Sequence, residues 1–211
     1  MVDIIYSDDA FVIANKPYDV LSVPGRGEDK QDCLWRRVQT QFPTARVVHR
    51  LDYATSGVMV LALTLDAQRA LNRSFQERKT HKRYQAIIAG TPTESDGSVE
   101  LPLRCDWENR PLQIVDFEQG KSALTHWKVL ATERAAQGIE NTRVELTPIT
   151  GRSHQLRVHM QAMGHPILGD RFYATPEGVA QSDRLLLHAE QLAFPHPLTN
   201  ELVEFIIPCP F

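Results

Sequence analysis

The sequence predicts an α+β fold in which a mixed, mainly antiparallel sheet is flanked by a few helices. Residues 3–16 form two short β-type runs around a turn of Ser and Asp residues, as in a hairpin. Residues 122–132 alternate in polarity, as a strand with one buried face does. Residues 64–78 instead carry apolar side chains at helical spacing.

The same patterns assign most of the remaining chain. A helix is predicted at 31–42, because apolar residues share one face and Pro43 ends the run. A connecting turn is predicted at 135–141. Further strands are predicted at 58–63, 82–90, 143–149 and 184–189, with a final pair at 194–197 and 202–208.

Length and composition limit the possible classes of protein. At 211 residues, the chain suits a single domain, and 42% apolar residues are enough for a real core. No apolar run is long enough to span a membrane, and the N-terminus does not resemble a signal peptide. Three dispersed cysteines fit a reducing compartment. We therefore expect a cytoplasmic protein.

Charge argues against binding nucleic acid through bulk attraction, because the net charge is −3. A local basic surface is still compatible with this value. The densest basic cluster contains Arg78, Lys79, Lys82 and Arg83. It has two interpretations: a solvated helix end, where cations favour the helix dipole, or a contact with RNA. Both can hold together.

The most informative segment runs from His49 to Gly57 and leads directly into the apolar run 58–63. A polar loop attached to a buried strand is a common position for catalytic residues. Asp52 is the carboxylate of this loop, beside Arg50 and two hydroxyl residues. Taken alone, the loop is also compatible with an ordinary turn in which Asp52 bonds nearby backbone groups.

The segment HRLDYATSG resembles the signature HRLDxxTSG of the RluA family of pseudouridine synthases, with all seven fixed positions matched. Other segments resemble motifs of the same family: NKP followed by LSVPG, K-x-Y at 82–84, GRSHQLR at 151–157, GHPILGDRFY at 164–173 and LLLHA at 185–189. The first motif departs from the family at Tyr18 and Asp19, where a small residue and glycine are usual. Asp19 tolerates a left-handed backbone, so we expect the turn to be kept.

The resemblance implies the pseudouridine synthase fold, with a central cleft across the sheet, and roles for four residues. Asp52 would be the nucleophile or base, and Arg157 would pair with it, since an opposite charge favours the ionised carboxylate. Tyr84 would stack on the target uracil, and Arg50 would fill the space left by the flipped base. The residues alone also allow Tyr84 to be a half-buried strand aromatic and Arg157 to form a structural ion pair.

Within the segment GRSHQLR at 151–157, a helix is expected to begin after Ser153, which would be its N-cap. His154 and His159 are five residues apart and do not share a helix face, so we interpret them as polar anchors rather than metal ligands. Contacts with RNA are expected from a larger set of residues. This set is Arg50, His49, Thr55, Arg78, Lys79, Lys82, Arg83, Arg104 and Arg110.

The string CDWENRP at 105–111 resembles a branch of the family that modifies both large-subunit (23S) rRNA and a tRNA anticodon stem-loop. Within it, Trp107 either stacks on RNA or anchors a surface loop. The resemblance implies a single catalytic domain over 1–211 without an N-terminal S4-like domain. No cofactor and no metal are expected, because isomerisation needs neither, and a monomer is the default expectation.

Two alternatives from other classes are weighed against an isomerase. A non-catalytic RNA-binding domain would use the same basic residues, but a net charge of −3 does not favour it. A histidine-based ribonuclease would need two histidines that converge on a phosphate. The spacing of His154 and His159 does not indicate such a pair.

Overall fold

The computed structural model describes residues 2–134 and 140–211. Twelve strands and four α-helices occur in these residues, with a short 3-10 helix at Glu28–Lys30. The strands are β1 (Asp3–Ser7), β2 (Phe11–Lys16), β3 (Arg46–Val47), β4 (Ser56–Ala62), β5 (His81–Ala89), β6 (Asp96–Glu100), β7 (Leu103–Cys105), β8 (Gln113–Val115), β9 (Leu124–Arg134), β10 (Glu140–Pro148), β11 (Leu187–Pro195) and β12 (Leu202–Ile206). The helices are α1 (Leu34–Gln39), α2 (Leu65–Gln76), α3 (Gln155–Ala162) and α4 (Pro176–Ala180).

The described residues form two compact units, one of residues 2–82 and 188–210 and one of residues 83–187 and 211. In the first unit, strands follow the order β1-β2-β4-β11-β12, and β3 also pairs with β4. Only the pairing of β4 with β11 is parallel among the described pairings of this unit. The sheet is therefore mixed.

Strand β4 is the centre of this sheet, and all seven of its residues are buried. Its unbroken apolar run is typical of a strand covered on both faces. Helix α2 packs on it, and Thr64 begins the helix by accepting a hydrogen bond from the Ala67 N–H at 3.1 Å. Both elements confirm the sequence prediction apart from their terminal residues. The segment before β4 thus emerges from a rigid support.

The N-terminal hairpin is also as predicted. Asp8 accepts hydrogen bonds from the backbone of Ala10 and Phe11 at 2.7 and 2.9 Å, which closes the turn between β1 and β2. Asp19 adopts a left-handed φ of 54°, so the turn is kept with an aspartate, as expected.

The predicted helix at 31–42 is too long at both ends. Cys33 is extended, with φ of −157°, and bridges Leu21. The N–H groups of Leu34 and Trp35 donate to the carbonyls of Leu21 and Ser22, at 2.8 and 3.2 Å. A tertiary contact therefore supplies the first helical donors with acceptors and sets the start of α1, which local periodicity does not reveal.

The second unit is built on an antiparallel sheet in the order β5-β10-β9-β6. A separate hairpin, β7–β8, packs with α3. The small core between them contains Leu103, Ala123, Val158 and Tyr173. With the first unit, this arrangement confirms the prediction of an α+β fold and a mixed, mainly antiparallel sheet.

Two further sequence predictions concern the connecting turn at 135–141 and the absence of a membrane-spanning segment. The turn predicted at 135–141 falls largely on residues 135–139, which lie outside the described residues, while 140 and 141 begin β10. Within 2–134 and 140–211, no helix is both long and apolar enough to cross a membrane.

Candidate active site

The candidate residues from the sequence are divided between the two units. The first unit carries Asp52 and the neighbouring basic residues, and the second carries Tyr84 and Arg157. Asp52 is half-buried, whereas its neighbours Arg50 and Tyr53 are exposed, Tyr53 by 51%. The loop thus presents a carboxylate between two accessible side chains, an arrangement open to a large polar substrate.

A buried lysine holds the loop that carries Asp52. Lys16, at the end of β2, is fully buried, and its Nζ donates hydrogen bonds to three backbone carbonyls. These belong to Pro17 at 2.9 Å, Tyr53 at 3.0 Å and Thr55 at 2.8 Å. An ammonium has three N–H donors, so each carbonyl takes one. The lysine therefore fixes the backbone just after Asp52 and joins it to the chain at Pro17.

A second anchor fixes the residue just before Asp52. The hydroxyl of Ser22 donates to the carbonyl of Leu51 at 2.7 Å and accepts from the Leu51 N–H at 3.0 Å. The turn is closed by the Thr55 N–H, which donates to the Asp52 carbonyl at 3.2 Å. Lys16 and Ser22 come from the NKP and LSVPG motifs, so those motifs act by holding the Asp52 loop.

The end of the loop, at Ser56 and Gly57, is held by strand β11. Ser56 Oγ lies 2.9 Å from Nδ1 of His188, and Nε2 of His188 lies 2.9 Å from the Ile207 carbonyl oxygen. Gly57 has a φ of 120°, and a Cβ there would lie 2.1 Å from the carbonyl oxygen of Ala189. Only glycine allows this approach of the parallel strands β4 and β11. Most fixed residues of the signature thus have a supporting role.

The His49 ring is engaged inside the protein and the Thr55 side chain is buried, although both residues were expected to contact RNA. The His49 ring stacks on Phe75 with centroids 4.7 Å apart, and its Nε2 accepts from the Val60 N–H at 3.1 Å. Burial and the charge of Lys82 lower the pKa of His49 to about 3, so the ring is neutral at physiological pH. Thr55 is 2% exposed. Their contacts with RNA stay predictions.

The basic cluster lies where α2 turns into β5. Arg78 and Lys79 are exposed, Arg78 has a left-handed φ of 57°, and Lys79 pairs with Glu77 at 2.7 Å. Burial, together with the charge of Arg78, lowers the pKa of Lys82 to about 8. Lys82 is therefore largely charged at pH 7 and loses its charge in mildly alkaline solution. Helix α2 ends at Gln76, so Arg78 and Lys79 lie in the turn directly after the helix, whereas Lys82 and Arg83 lie in β5.

In the second unit, Tyr84 lies in β5, half-buried, with its Cα opposite that of Leu146 in β10. Arg83 precedes it and lies 3.9 Å from Glu145. A rigid antiparallel pair therefore supports the tyrosine ring, as a stacking role requires. A strand aromatic and a stacking ring are both compatible with this position.

Arg157 is buried in α3 and forms a two-point ion pair with Asp170. Its Nε and Nη2 donate to Oδ2 and Oδ1 at 2.7 and 2.6 Å, and the two side chains are 4% and 0% exposed. Asp170 also accepts from the N–H groups of Phe172 and Tyr173. This pair occupies one edge of a guanidinium that has two edges and five donors. The predicted pair with Asp52 stays a prediction.

Ser153 is not the N-cap of this helix, so that prediction was wrong. Helix α3 begins at Gln155, and His154 takes the capping position with a left-handed φ of 53°. The buried Gln155 explains the difference, because its Oε1 accepts from the Thr150 hydroxyl at 2.8 Å and the Arg152 N–H at 3.0 Å. This glutamine ties the helix start to the segment that follows β10.

His154, which caps α3, and His159, within it, both serve as polar anchors, as predicted. His154 Nδ1 lies 2.7 Å from the Tyr173 hydroxyl. His159 is fully buried, with Nδ1 2.9 Å from the Thr125 hydroxyl and Nε2 3.1 Å from the Leu101 carbonyl oxygen. Among the described residues, no group of three or more His, Cys, Asp or Glu side chains is placed to hold a metal ion.

The two arginines of the CDWENRP region differ in their surroundings. Arg104 pairs with Asp116 at 2.5 Å and thereby braces β7 against β8. Arg110 is exposed and lies over the Trp107 ring, with Cζ 3.9 Å from the centroid. Of the two predicted RNA contacts, Arg110 is the more accessible.

Comparison with known proteins identifies the family. Residues 10–162 match the family described as RNA pseudouridylate synthase. Over 209 residues, the chain is 54% identical to the dual-specificity RNA pseudouridine synthase RluA of Escherichia coli (strain K12), a match that covers 99% of this chain and 93% of the relative. The chain belongs to the RNA pseudouridylate synthase family.

Three other similar proteins carry names of the same family. The synthase is 51% identical to the dual-specificity RNA pseudouridine synthase RluA of Vibrio parahaemolyticus, over 99% of this chain and 84% of that protein. Human RNA pseudouridylate synthase domain containing 1 superposes with a TM-score of 0.84 at 34% identity, covering 100% of this chain and 84% of that one. Human RNA pseudouridylate synthase domain containing 4 gives 0.74 at 27% identity, with 99% and 88% covered.

The synthase is thus an isomerase that acts on RNA, as the signature at 49–57 indicated. The predicted family, fold and class of activity are confirmed. The two alternatives, a non-catalytic RNA-binding domain and a histidine ribonuclease, are set aside by the family.

Proposed function

We propose that the enzyme converts specific uridines to pseudouridine in 23S rRNA and in a tRNA anticodon stem-loop. The two bacterial relatives described above are named dual-specificity RNA pseudouridine synthases, and the CDWENRP region resembles that branch of the family. The observation that carries the assignment of roles is the Asp52 loop. Lys16, Ser22 and His188 immobilise its backbone and flanking residues, while Asp52, its one carboxylate, is half-buried.

Asp52 acts in this proposal as the nucleophile or the base. The reaction breaks the bond between C1′ and N1 of the target uridine and forms a bond between C1′ and C5. Asp52 either attacks C1′ to give a covalent sugar intermediate or removes a sugar proton to give a glycal. The uracil rotates and C5 bonds to C1′; in the first route this breaks the bond between C1′ and Asp52, and in the second Asp52 returns its proton to the sugar. C5 then loses its proton and N1 gains one. Both routes are redox-neutral and need the carboxylate in a fixed position.

The other roles follow the family resemblance. Tyr84 stacks on the uracil while it rotates, and Arg50, exposed beside Asp52, fills the space that the flipped nucleotide leaves. Arg157 pairs with Asp52 as well as with Asp170. RNA phosphates are held by basic side chains, among which Arg78, Lys79, Lys82 and Arg83 are candidates, and Arg110 also contacts the RNA.

Four further parts of the proposal concern the working state of the protein. Residues 1–211 act as a single catalytic domain, as a monomer, in the cytoplasm. Neither metal nor cofactor takes part, because an isomerisation has no net oxidation or hydrolysis. Undiminished turnover in a chelating buffer, and one monomeric peak in sedimentation, are the expected results. A loss of turnover that added metal restores would contradict the metal-free reaction.

The direct test uses transcribed RNA. Purified protein is incubated with a tRNA anticodon stem-loop and with 23S rRNA hairpins, and pseudouridine is mapped by carbodiimide modification and primer extension. A stop at one uridine in each RNA supports both the reaction and the dual specificity. A stop in one RNA alone would contradict the dual specificity but not the chemistry.

A further inference from the structure

The loop between β7 and β8 exposes a tryptophan that the proposed reaction does not use. Trp107 is 65% exposed, although Arg110 lies over one face of its ring with Cζ 3.9 Å from the centroid. The other tryptophans are placed differently: Trp35 Nε1 donates to the Ala45 carbonyl at 2.7 Å, and Trp127 is 7% exposed. An indole with one face covered and this much exposure presents its other face to solvent.

The loop is rigid before any ligand binds. The Asp106 N–H donates to the Leu112 carbonyl at 2.9 Å, and the Leu112 N–H donates to the Asn109 carbonyl at 3.0 Å. The Asn109 amide donates to the Asp106 carboxylate at 2.9 Å. A ligand that binds Trp107 therefore does not have to order the loop, and less of its binding energy is lost.

The base of the loop is fixed to the core of the second unit. Leu112 packs against the cluster that contains Leu103, Val158 and Tyr173. The Tyr173 hydroxyl accepts a hydrogen bond from the Gln113 N–H at 2.9 Å. The loop thus holds the Trp107–Arg110 stack on a fixed support.

The chemistry of the stack favours an unpaired base over a phosphate. Arg110 supplies one positive charge, but Glu108 on the same loop is exposed and Asp106 is also acidic. The loop therefore does not attract a phosphate through net charge. A flat indole stiffened by a guanidinium instead offers a surface for stacking, which is how aromatic and arginine side chains bind unpaired RNA bases.

We propose that Trp107 and Arg110 form a stacking subsite for an unpaired base of the RNA substrate other than the uridine that is isomerised. The inference rests on the RNA substrate of the proposed function and extends it. The subsite strengthens binding and favours RNAs that have an unpaired nucleotide at the right distance from the target. Neither side chain takes part in breaking or forming bonds at the sugar.

The test compares binding to paired and unpaired RNA. Three probes are titrated by filter binding and by tryptophan fluorescence: a transcribed tRNA anticodon stem-loop, a mixed-sequence single strand and a blunt duplex. Trp107→Ala is expected to weaken binding of the first two by about 10- to 100-fold, the range for loss of one stacked base, and duplex binding by less than about 2-fold. Trp107→Phe should lie between wild type and Trp107→Ala.

Phe117→Ala is the matched control, because Phe117 is 78% exposed on the turn after β8 in the same unit. This variant should bind all three probes like the wild type. Stem-loop and single strand should quench the wild-type fluorescence, and most of that quenching should be absent in Trp107→Phe. At saturating RNA, turnover by Trp107→Ala should stay within about 2-fold of wild type, because stacking contributes binding rather than chemistry.

Unchanged binding of the stem-loop and the single strand by Trp107→Ala would overturn the inference. An equal loss for the duplex would also overturn it, because the surface would then bind backbone rather than bases. The single strand keeps this test separate from the proposed function. If neither RNA target is modified, the proposed targets are wrong, while the single strand still decides whether Trp107 stacks.

Discussion

The loop that carries Asp52 and the loop that carries Trp107 are both short and polar, but their side chains are used in opposite ways. In the Asp52 loop, neighbours of the key residue are buried and bonded to Lys16, Ser22 and His188. In the Trp107 loop, backbone hydrogen bonds hold the shape and the large side chain remains 65% exposed.

The difference is what each proposed role requires. A nucleophile or base must stay within a narrow range of positions relative to the reacting atom, and misplacement of about 1 Å can cost roughly 10²-fold in rate. A stacking surface tolerates small shifts, because every base has an aromatic face. Substitutions beneath the Asp52 loop should therefore affect stability and turnover together, whereas substitutions in the Trp107 loop should affect binding.

Among substitutions beneath the Asp52 loop, Gly57→Ala is expected to have the largest effect on stability. The added Cβ would lie 2.1 Å from the Ala189 carbonyl oxygen, at a φ of 120° that L-residues rarely adopt. We expect a loss of roughly 4 kcal/mol or more in the free energy of unfolding, or failure to fold, measured by urea denaturation.

Gly164→Ala is the control for backbone strain alone. Gly164 also has a positive φ, of 83°, but a Cβ there meets nothing within 4 Å. Its cost should be about 1 kcal/mol. Similar losses at both positions would show that the contact with Ala189 is not what requires glycine.

A smaller but still large effect is expected from Lys16→Met. The substitution keeps the length of the side chain but removes the donor for the carbonyls of Pro17, Tyr53 and Thr55. We expect a loss of roughly 2–4 kcal/mol in the free energy of unfolding, because buried acceptors lose their partner. Turnover should fall further than the folded fraction at the assay temperature, because the Asp52 loop loses its support.

Lys79→Met is the matched control for this variant. Lys79 is exposed and pairs with Glu77 at the surface, so its loss should cost less than about 1 kcal/mol. A Lys16→Met protein as stable as Lys79→Met would contradict the role of Lys16 in holding the loop.

Features near the Asp52 loop that depend on local sequence could be predicted. The buried strand β4, helix α2 and the left-handed Asp19 could be predicted, because apolar periodicity and turn preference are local properties. The sequence at 49–57 also indicated a polar loop that leads into this strand, and Asp52 is the carboxylate of that loop.

The supports themselves could not be predicted, because they depend on tertiary contacts. The neighbouring sequence predicts that Lys16 lies at the end of a strand, but it does not indicate that the amine is buried among three carbonyls. The pair of Arg157 with Asp170 joins residues from two motifs, each of which was noted without its partner. Ser153 was misassigned for the same reason, since the contacts of Gln155 decide where α3 begins.

The smallest expected effect concerns Lys82, which differs from the fully buried Lys16 in being only half-buried. Its pKa of about 8 means that its charge is present at pH 7 and is lost as the pH rises above about 8. If Lys82 holds an RNA phosphate, the affinity for RNA should fall by about 3-fold between pH 7 and pH 9.

Lys82→Arg isolates this effect, because arginine stays charged throughout that range. The variant should lose most of the fall in RNA affinity between pH 7 and pH 9. An unchanged pH dependence would mean that another group titrates and that Lys82 does not contact the RNA.

The most direct test of the account is pseudouridine mapping with Asp52→Asn beside Asp66→Asn. Asp66 is an exposed aspartate of α2 that pairs with Arg69, so its variant controls for the loss of a carboxylate. We predict that Asp52→Asn reduces the single-turnover rate by about 10⁴-fold or more while RNA affinity changes by less than about 3-fold, and that Asp66→Asn keeps full activity. A primer-extension stop of normal intensity and rate with Asp52→Asn would contradict the central claim that Asp52 carries the chemistry.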